Sequence, residues 1–198
     1  MFSAVRNAAI GAVTLSIAAG LSPAAQAAYT LTLLQQGPDV AATGSGSFDL
    51  TDLTLTSGIT SRAVVAPASG TTWTGPVTAT DGDIYGDTTG PGAFGGGGLT
   101  FADSGSGDLV GVFSGGGIVV PSGYVSGTLS GTATYNNQTF ASLGLASGTY
   151  VWTWGTGADA DSFTLQIGPA AAVPEPGSLP LLAMGLVGLG LVLRTRRA

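Results

Sequence analysis

The sequence predicts an all-β fold, an antiparallel β-sandwich or jelly roll, for the middle of the chain. Three observations point there. No stretch between residues 28 and 168 carries apolar residues at the i, i+3, i+4, i+7 spacing of an amphipathic helix through three turns. Short runs rich in Thr, Val, Tyr and Trp alternate polar and apolar positions instead, the two-residue period of a strand with one buried face. Gly, Pro, Asn and Asp clusters interrupt these runs about every 8–12 residues, as in sandwiches and barrels, and the chain has 34 Gly and 10 Pro among its 198 residues.

Taken in order, residues 29–35 (YTLTLLQ) and 40–50 (VAATGSGSFDL) read as a hairpin about the turn Gly37-Pro38-Asp39. The glycines of the second run point to bulges or close backbone approach. Residues 53–56 and 59–66 are short extended pieces around Gly58, and 71–80 is a β-prone run interrupted at Gly75-Pro76. Residues 81–98 hold eight Gly, one Pro and three Asp and read as a long loop. Residues 99–102 and 109–113 read as strands separated by a Gly/Ser turn, with a further apolar piece at 118–120. Residues 124–135 (YVSGTLSGTATY) read as a long alternating strand kinked at Gly127. Asn136-Asn137 is a turn signal, and 138–145 reads as a strand or a single helical turn. Residues 149–154 (TYVWTW) and 162–167 (SFTLQI) are the clearest strands. Thr-x-Thr recurs at Thr30/Thr32, Thr54/Thr56 and Thr78/Thr80, but the residues between do not match, so the pattern is not a solenoid repeat.

Charge narrows the partners. All five basic residues are Arg, and between residues 28 and 173 only Arg62 stands against ten Asp, a net of −9. Such a domain repels phosphate, which argues against nucleic acid and leaves cationic surfaces and divalent cations. The chain has no Cys, so no disulfide framework supports it.

Composition also removes most catalytic chemistry. With no His, Cys or Lys there is no Ser-His-Asp triad, thiolate nucleophile, Schiff base or imidazole ligand. Paired Asp could hydrolyse glycosides, but nothing in the sequence sets two of them across a cleft. The expectation is a non-enzyme whose Asp are solvated loop carboxylates. No cofactor is expected apart from Ca²⁺, for which Asp81, Asp83 and Asp87 on a Gly-rich loop are the candidate ligands. Position 92, where an EF-hand-like loop would end in an acid, is Gly92; Asp159 and Asp161 form a weaker pair. Tyr150, Trp152 and Trp154 alternate and so share one strand face. They could stack on sugar rings, or form a core stripe with Phe163, Leu165 and Ile167; the scarcity of large residues favours the core.

Both ends read as addresses. Residues 1–27 combine Arg6, an uncharged apolar run at 8–21, the breaker Ser22-Pro23 and a small-residue cleavage site, Ala25 and Ala27 before Ala28: a secretory signal peptide handled by the Sec machinery and signal peptidase. Residues 28–168 form the exported domain and 169–173 a linker. At the other end stand Pro174-Glu175-Pro176, an apolar transmembrane helix at about 178–193, and a basic stop with Arg194, Arg196 and Arg197 that holds the span's end in the cytoplasm. The 15 residues 179–193 would span about 22 Å as a helix, short of the roughly 30 Å bilayer core. With Gly185, Gly188 and Gly190 inside it, the span suits a temporary anchor, and the two prolines fix an extended entrance that a membrane enzyme could grip.

This tail, about 25 residues in the right order at the C-terminus, resembles that of the PEP-CTERM proteins of Gram-negative bacteria. The resemblance implies recognition by an exosortase and removal of the tail, passage through the inner membrane, and a cell-surface, exopolysaccharide or biofilm-matrix role. The domain also looks like a Gly/Thr-rich subset of these proteins ending in a strand of the type Tyr150–Gly155, a likeness that brings no activity with it. The alternative function is a carbohydrate- or calcium-binding module. The tail type has been associated with ice-binding proteins too, which Thr-x-Thr pairs would suit, although solvent-facing Thr on ordinary strands accounts for them.

Overall fold

The computed structural model describes residues 28–168. The expected signal peptide with Ala25 and Ala27, the linker, the Pro-Glu-Pro segment, the transmembrane span and the basic end lie outside the described residues. In chain order the strands are β1 (Ala28–Gln36), β2 (Asp39–Gly46), β3 (Thr54–Ser61), β4 (Val64–Ala66), β5 (Thr71–Thr74), β6 (Thr80–Gly86) and β7 (Thr100–Phe101). There follow β8 (Ser104–Gly107), β9 (Val110–Phe113), β10 (Gly117–Pro121), β11 (Leu129–Tyr135), β12 (Gly148–Trp154) and β13 (Asp161–Ile167). Two single 3₁₀ turns, Pro67–Ser69 and Gly157–Asp159, complete the regular elements among the described residues.

The strands form two sheets, one ordered β12-β13-β1-β2-β11-β8 and the other β3-β6-β10-β9-β5-β4-β7. Pairing is antiparallel except between β1 and β13, which run parallel with Ala28 opposite Ser162 and Leu33 opposite Ile167. The all-β prediction is met by two mostly antiparallel sheets, with that one parallel pair as the departure. It joins the first and last strands of the domain, which no local sequence signal could pair.

Alternation drives the packing. On the six-stranded sheet Tyr29, Leu31, Val40, Ala133, Phe163 and Leu165 point inward, and Val65, Val110, Val112, Ile118 and Val120 meet them from the other sheet. Tyr29 stacks on Phe48 and Phe163 at ring-centroid separations of 5.3 and 5.7 Å. That stack needs a residue without a side chain beneath it. A Cβ on Gly44 would fall 2.7 Å from Tyr29 Cε1, so the glycine reflects close approach, one of the two readings the sequence offered. A second cluster, Val64, Trp73, Ile84, Leu109 and Val119, covers the opposite face of the seven-stranded sheet. Its Trp73 indole Nε1 donates to Val112 O at 2.9 Å.

Several expected elements are corrected. The long loop starts later than its composition indicates, because residues 80–86 form β6, held between β3 and β10 with Gly82 and Ile84 buried. The expected Gly/Ser turn contains strand β8. A Cβ on Gly105 would fall 2.6 Å from Thr132 O, so the glycine permits pairing that its propensity opposes. Gly58 does not divide β3, whose irregularity is a bulge between Leu55 and Ser57. The 71–80 run is extended only through Thr74, then turns at Gly75 with φ +129°. The long 124–135 strand begins only at Leu129, because Gly127 takes φ +115° and Tyr124 Oη ties the preceding turn to Gly127 O and to Phe48 N–H. Residues 138–145, expected as a strand or a single helical turn, take the second form, with Leu143 N–H on Thr139 O at 3.0 Å and Leu145 N–H on Phe140 O at 2.8 Å.

Candidate functional site

The aromatic row and the acidic stretch were the two candidate sites inside the domain, and the fold treats them differently. Tyr150, Trp152 and Trp154 do share one face of β12, and that face is the inner one. Trp152 is 1 % exposed and Trp154 5 %, while Tyr150 is partly buried against Phe94. Trp152 meets Phe163 edge-on at 5.7 Å, and Trp154 packs on Phe48 at 5.7 Å while its Nε1 donates to Asp49 O at 2.8 Å. The two indoles have no open face, because the sandwich needs their bulk between its sheets, which is the core placement the sequence favoured over sugar stacking; Tyr150 keeps part of its ring at the surface.

Asp81, Asp83 and Asp87 do not converge. Asp81 and Asp83 sit two residues apart on β6, so they share one side of the strand and line a depression of about 250 Å³ with Thr60 and Ser122. Asp87 lies beyond the strand end at φ +72°, a conformation Asp tolerates better than most side chains, and lines a separate depression with Thr56 and Ser114. Among the described residues no three acidic side chains are grouped closely enough to hold one metal ion. The first two carboxylates are already engaged. Asp81 accepts from Thr60 Oγ1 at 2.7 Å, and Asp83 accepts from Gly123 N–H at 2.8 Å and Ser122 Oγ at 3.3 Å.

What the acids do instead is a pattern that composition alone did not reveal. Six of the ten Asp accept a backbone N–H at 2.7–2.9 Å: Asp39 from Asn137, Asp49 from Thr51, Asp83 from Gly123, Asp103 from Asn136, Asp108 from Ser130, and Asp161 from Asp49. Turns and strand ends leave N–H groups without ladder partners, and a carboxylate is the strongest side-chain acceptor for them. The aspartates thus serve as stitches, and four of these six bonds join segments more than thirty residues apart.

Asp161 is the extreme case. It is 6 % exposed, and its carboxylate takes the N–H groups of Asp49 at 2.7 Å and Ser162 at 2.6 Å, pinning the start of β13 to the turn after β2. Burial raises its pKa above the ordinary carboxylate range, opposed by those two hydrogen bonds. The Thr51 hydroxyl and then its N–H hold Asp49, on the surface, below that range. The domain's single base has a packing role, with the Arg62 guanidinium carbon 4.0 Å from the centroid of the half-exposed Phe101 ring.

The chemistry that assigns a handling route lies at the C-terminus. Residues 172–197 match the model of the PEP-CTERM protein-sorting motif. This chain carries a PEP-CTERM sorting signal. The match takes in Pro174, Glu175, Pro176, Arg194, Arg196 and Arg197, the residues singled out from the sequence. A PEP-CTERM signal implies an exported protein sorted to the cell surface by an exosortase-type system, with exosortase as the processing partner. No curated protein and no solved structure matches the chain.

Proposed function

We propose that this PEP-CTERM chain is a non-catalytic protein of the cell surface or extracellular matrix, associated with exopolysaccharide or biofilm in a Gram-negative bacterium. The Sec machinery exports it, signal peptidase cuts between Ala27 and Ala28, the tail holds it briefly in the inner membrane, and exosortase removes the tail at or near Pro174-Glu175-Pro176. The observation that carries this reading is the sorting motif at residues 172–197. Two features of the domain support it. The sequence has no His, Cys or Lys with which to build the common catalytic devices. The acids that could have served in their place are largely committed to backbone N–H groups that hold turns together.

The test is the Pro174→Ala/Pro176→Ala double variant, expressed in the native host. The expected result is full-length protein lacking only the leader, retained in the inner membrane, while the unmodified chain is found outside in shortened form. Intact mass of the surface form then gives both cleavage points and any attached group. Normal processing and release of the double variant would overturn the proposal.

A further inference from the structure

A buried charge persists only where it is paired and hydrogen-bonded. Asp161 is the one charged side chain buried among the described residues. Its carboxylate oxygens accept one N–H each, Oδ2 from Asp49 and Oδ1 from Ser162. A carboxylate offers about four acceptor positions, so each oxygen can take a further donor. No side chain of the domain brings a positive charge to it. Arg62, the only base between residues 28 and 173, stacks on the Phe101 ring in the other sheet. The nearby side chains add negative charge instead. Asp49 bears on Asp161 directly, and Asp52 and Asp159 both approach Gly155 in the wall of the same surface depression.

Topology brings one backbone nitrogen to this corner. The sheet order runs β13-β1-β2, and Asp161 on β13 grips the N–H of Asp49, which lies just past the end of β2. Its carboxylate therefore reaches across the start of β1. Ala28 stands there, opposite Ser162 on one side and with its carbonyl accepting the Ser47 N–H at 3.3 Å on the other. Ala28 and Asp161 line one depression of about 390 Å³, together with Trp154, Gly155 and Ser162. While the leader is attached, the Ala28 nitrogen is an uncharged amide. Cleavage between Ala27 and Ala28 turns it into an α-ammonium, charged below its ordinary pKa of about 7.7–8.0.

We propose that this α-ammonium is the counter-ion of Asp161, so that removal of the leader closes an ionic clasp between the first and last strands of the domain. The inference rests on the cleavage point given above. The other ionisable groups at the clasp are Asp49 and Asp52 on the turn after β2 and Asp159 in the 3₁₀ turn before β13. All are acidic, so they too favour the charged amine. For the Asp161 carboxylate, the ammonium joins the N–H groups of Asp49 and Ser162 in opposing burial, which stays the largest influence on it. The domain thus gains stability at the step that frees it from its leader.

The sequence contains no Lys, so the α-amine is the only primary amine of the processed polypeptide and can be modified selectively. The test uses the protein secreted by the native host. Intact mass first fixes its start. A form that does not begin at Ala28 overturns the cleavage reading and the clasp with it, whereas the outcomes below bear on the clasp alone. Reductive methylation with isotopically labelled formaldehyde keeps the amine's charge, and NMR then titrates it in the folded protein and in denaturing urea. The expected pKa is higher in the folded protein by at least about one unit, and Asp161→Asn returns it to the value in urea. A raised amine contributes stability fully below its unfolded value and loses that contribution as pH rises through its folded value. Acetylation, which removes the charge, therefore raises the unfolding constant about tenfold at pH 7, and the two forms converge above the folded value. Near-ultraviolet circular dichroism reports whether Asp161→Asn keeps its Trp packing; if it does not, the acetylated protein decides. The proposal is overturned by an amine that titrates alike in folded and unfolded protein, by a shift that survives Asp161→Asn, or by acetylation without effect at pH 7.

Discussion

Tyr29 offers a quantitative test of the core. Its hydroxyl is fully buried and has no hydrogen-bond partner, although Thr74 is close, because the Thr74 hydroxyl is turned to Val110 O at 3.3 Å. Burial pushes the phenol up to about 12, with the Thr74 contact opposing and the Asp108 charge adding to the rise. Below pH 10 both folded and unfolded chains keep the proton and this residue contributes no pH dependence. Above pH 10 the unfolded chain releases it first, so the folded state binds more protons and stability falls as pH rises. The gap between about 10 and about 12 corresponds to roughly 2.7 kcal/mol at about 1.36 kcal/mol per pKa unit, lost progressively through that window. Tyr135, also buried without a partner, is pushed upward by burial and adds to the loss. Urea unfolding followed by Trp fluorescence at intervals from pH 8 to pH 12 measures it. Tyr29→Phe removes an unsatisfied hydroxyl without changing the ring, so at pH 8 it should be neutral or stabilising by about 1 kcal/mol. It should also flatten the alkaline decline. A variant as steep as the parent above pH 10, or one less stable by 2 kcal/mol at pH 8, would refute the reasoning.

Two further outcomes follow from contacts described above. Gly44→Ala pushes a methyl into the Tyr29 ring and should cost about 1–3 kcal/mol by overpacking, while Tyr29→Leu in the same chain should recover part of it; chemical denaturation of the single and double variants decides. Asp161→Ala strips the acceptor from two N–H groups and should cost about 1–3 kcal/mol at pH 7. Because burial raises the Asp161 pKa, this residue's own contribution to stability is fully present below the ordinary carboxylate value and declines as pH rises through the raised one. The parent's advantage over Asp161→Ala should therefore narrow from pH 4 to pH 7, and a widening gap would contradict the burial argument.

Legibility in the sequence followed the range of the forces involved. The strands at 149–154 and 162–167 could be read because alternation is a local consequence of one buried face, and β13 shows it without a break. The sorting tail could be read for the same reason, since its proline pair, apolar run and basic stop are contiguous. β6 and β8 could not. Their Gly and Asp residues have poor strand propensity, and partners far along the chain hold them extended, β3 and β10 in one case and β11 in the other. The Trp row was ambiguous because spacing assigns a common face but not which side the second sheet covers. The aspartates gave no local signal at all: Asp83 reaches Gly123, Asp103 reaches Asn136 and Asp39 reaches Asn137, pairings that exist only once the chain has folded.

The parallel pairing of β1 with β13 has a mechanical consequence. The two strands lie side by side near the middle of the six-stranded sheet and run the same way. The start of the domain at Ala28 and its exit after Ile167 are therefore at opposite ends of the pair, about 17 Å apart at roughly 3.3 Å per residue. A load pulling those two ends apart does not peel the ladder one bond at a time. It slides one strand along the other, so the six register positions from Ala28–Ser162 to Leu33–Ile167 share the strain and must yield together. Peeling would begin only under a pull directed across the strands. For a domain delivered to a surface by its C-terminal end, resistance to drag is thus set by the direction of force as much as by the free energy of unfolding.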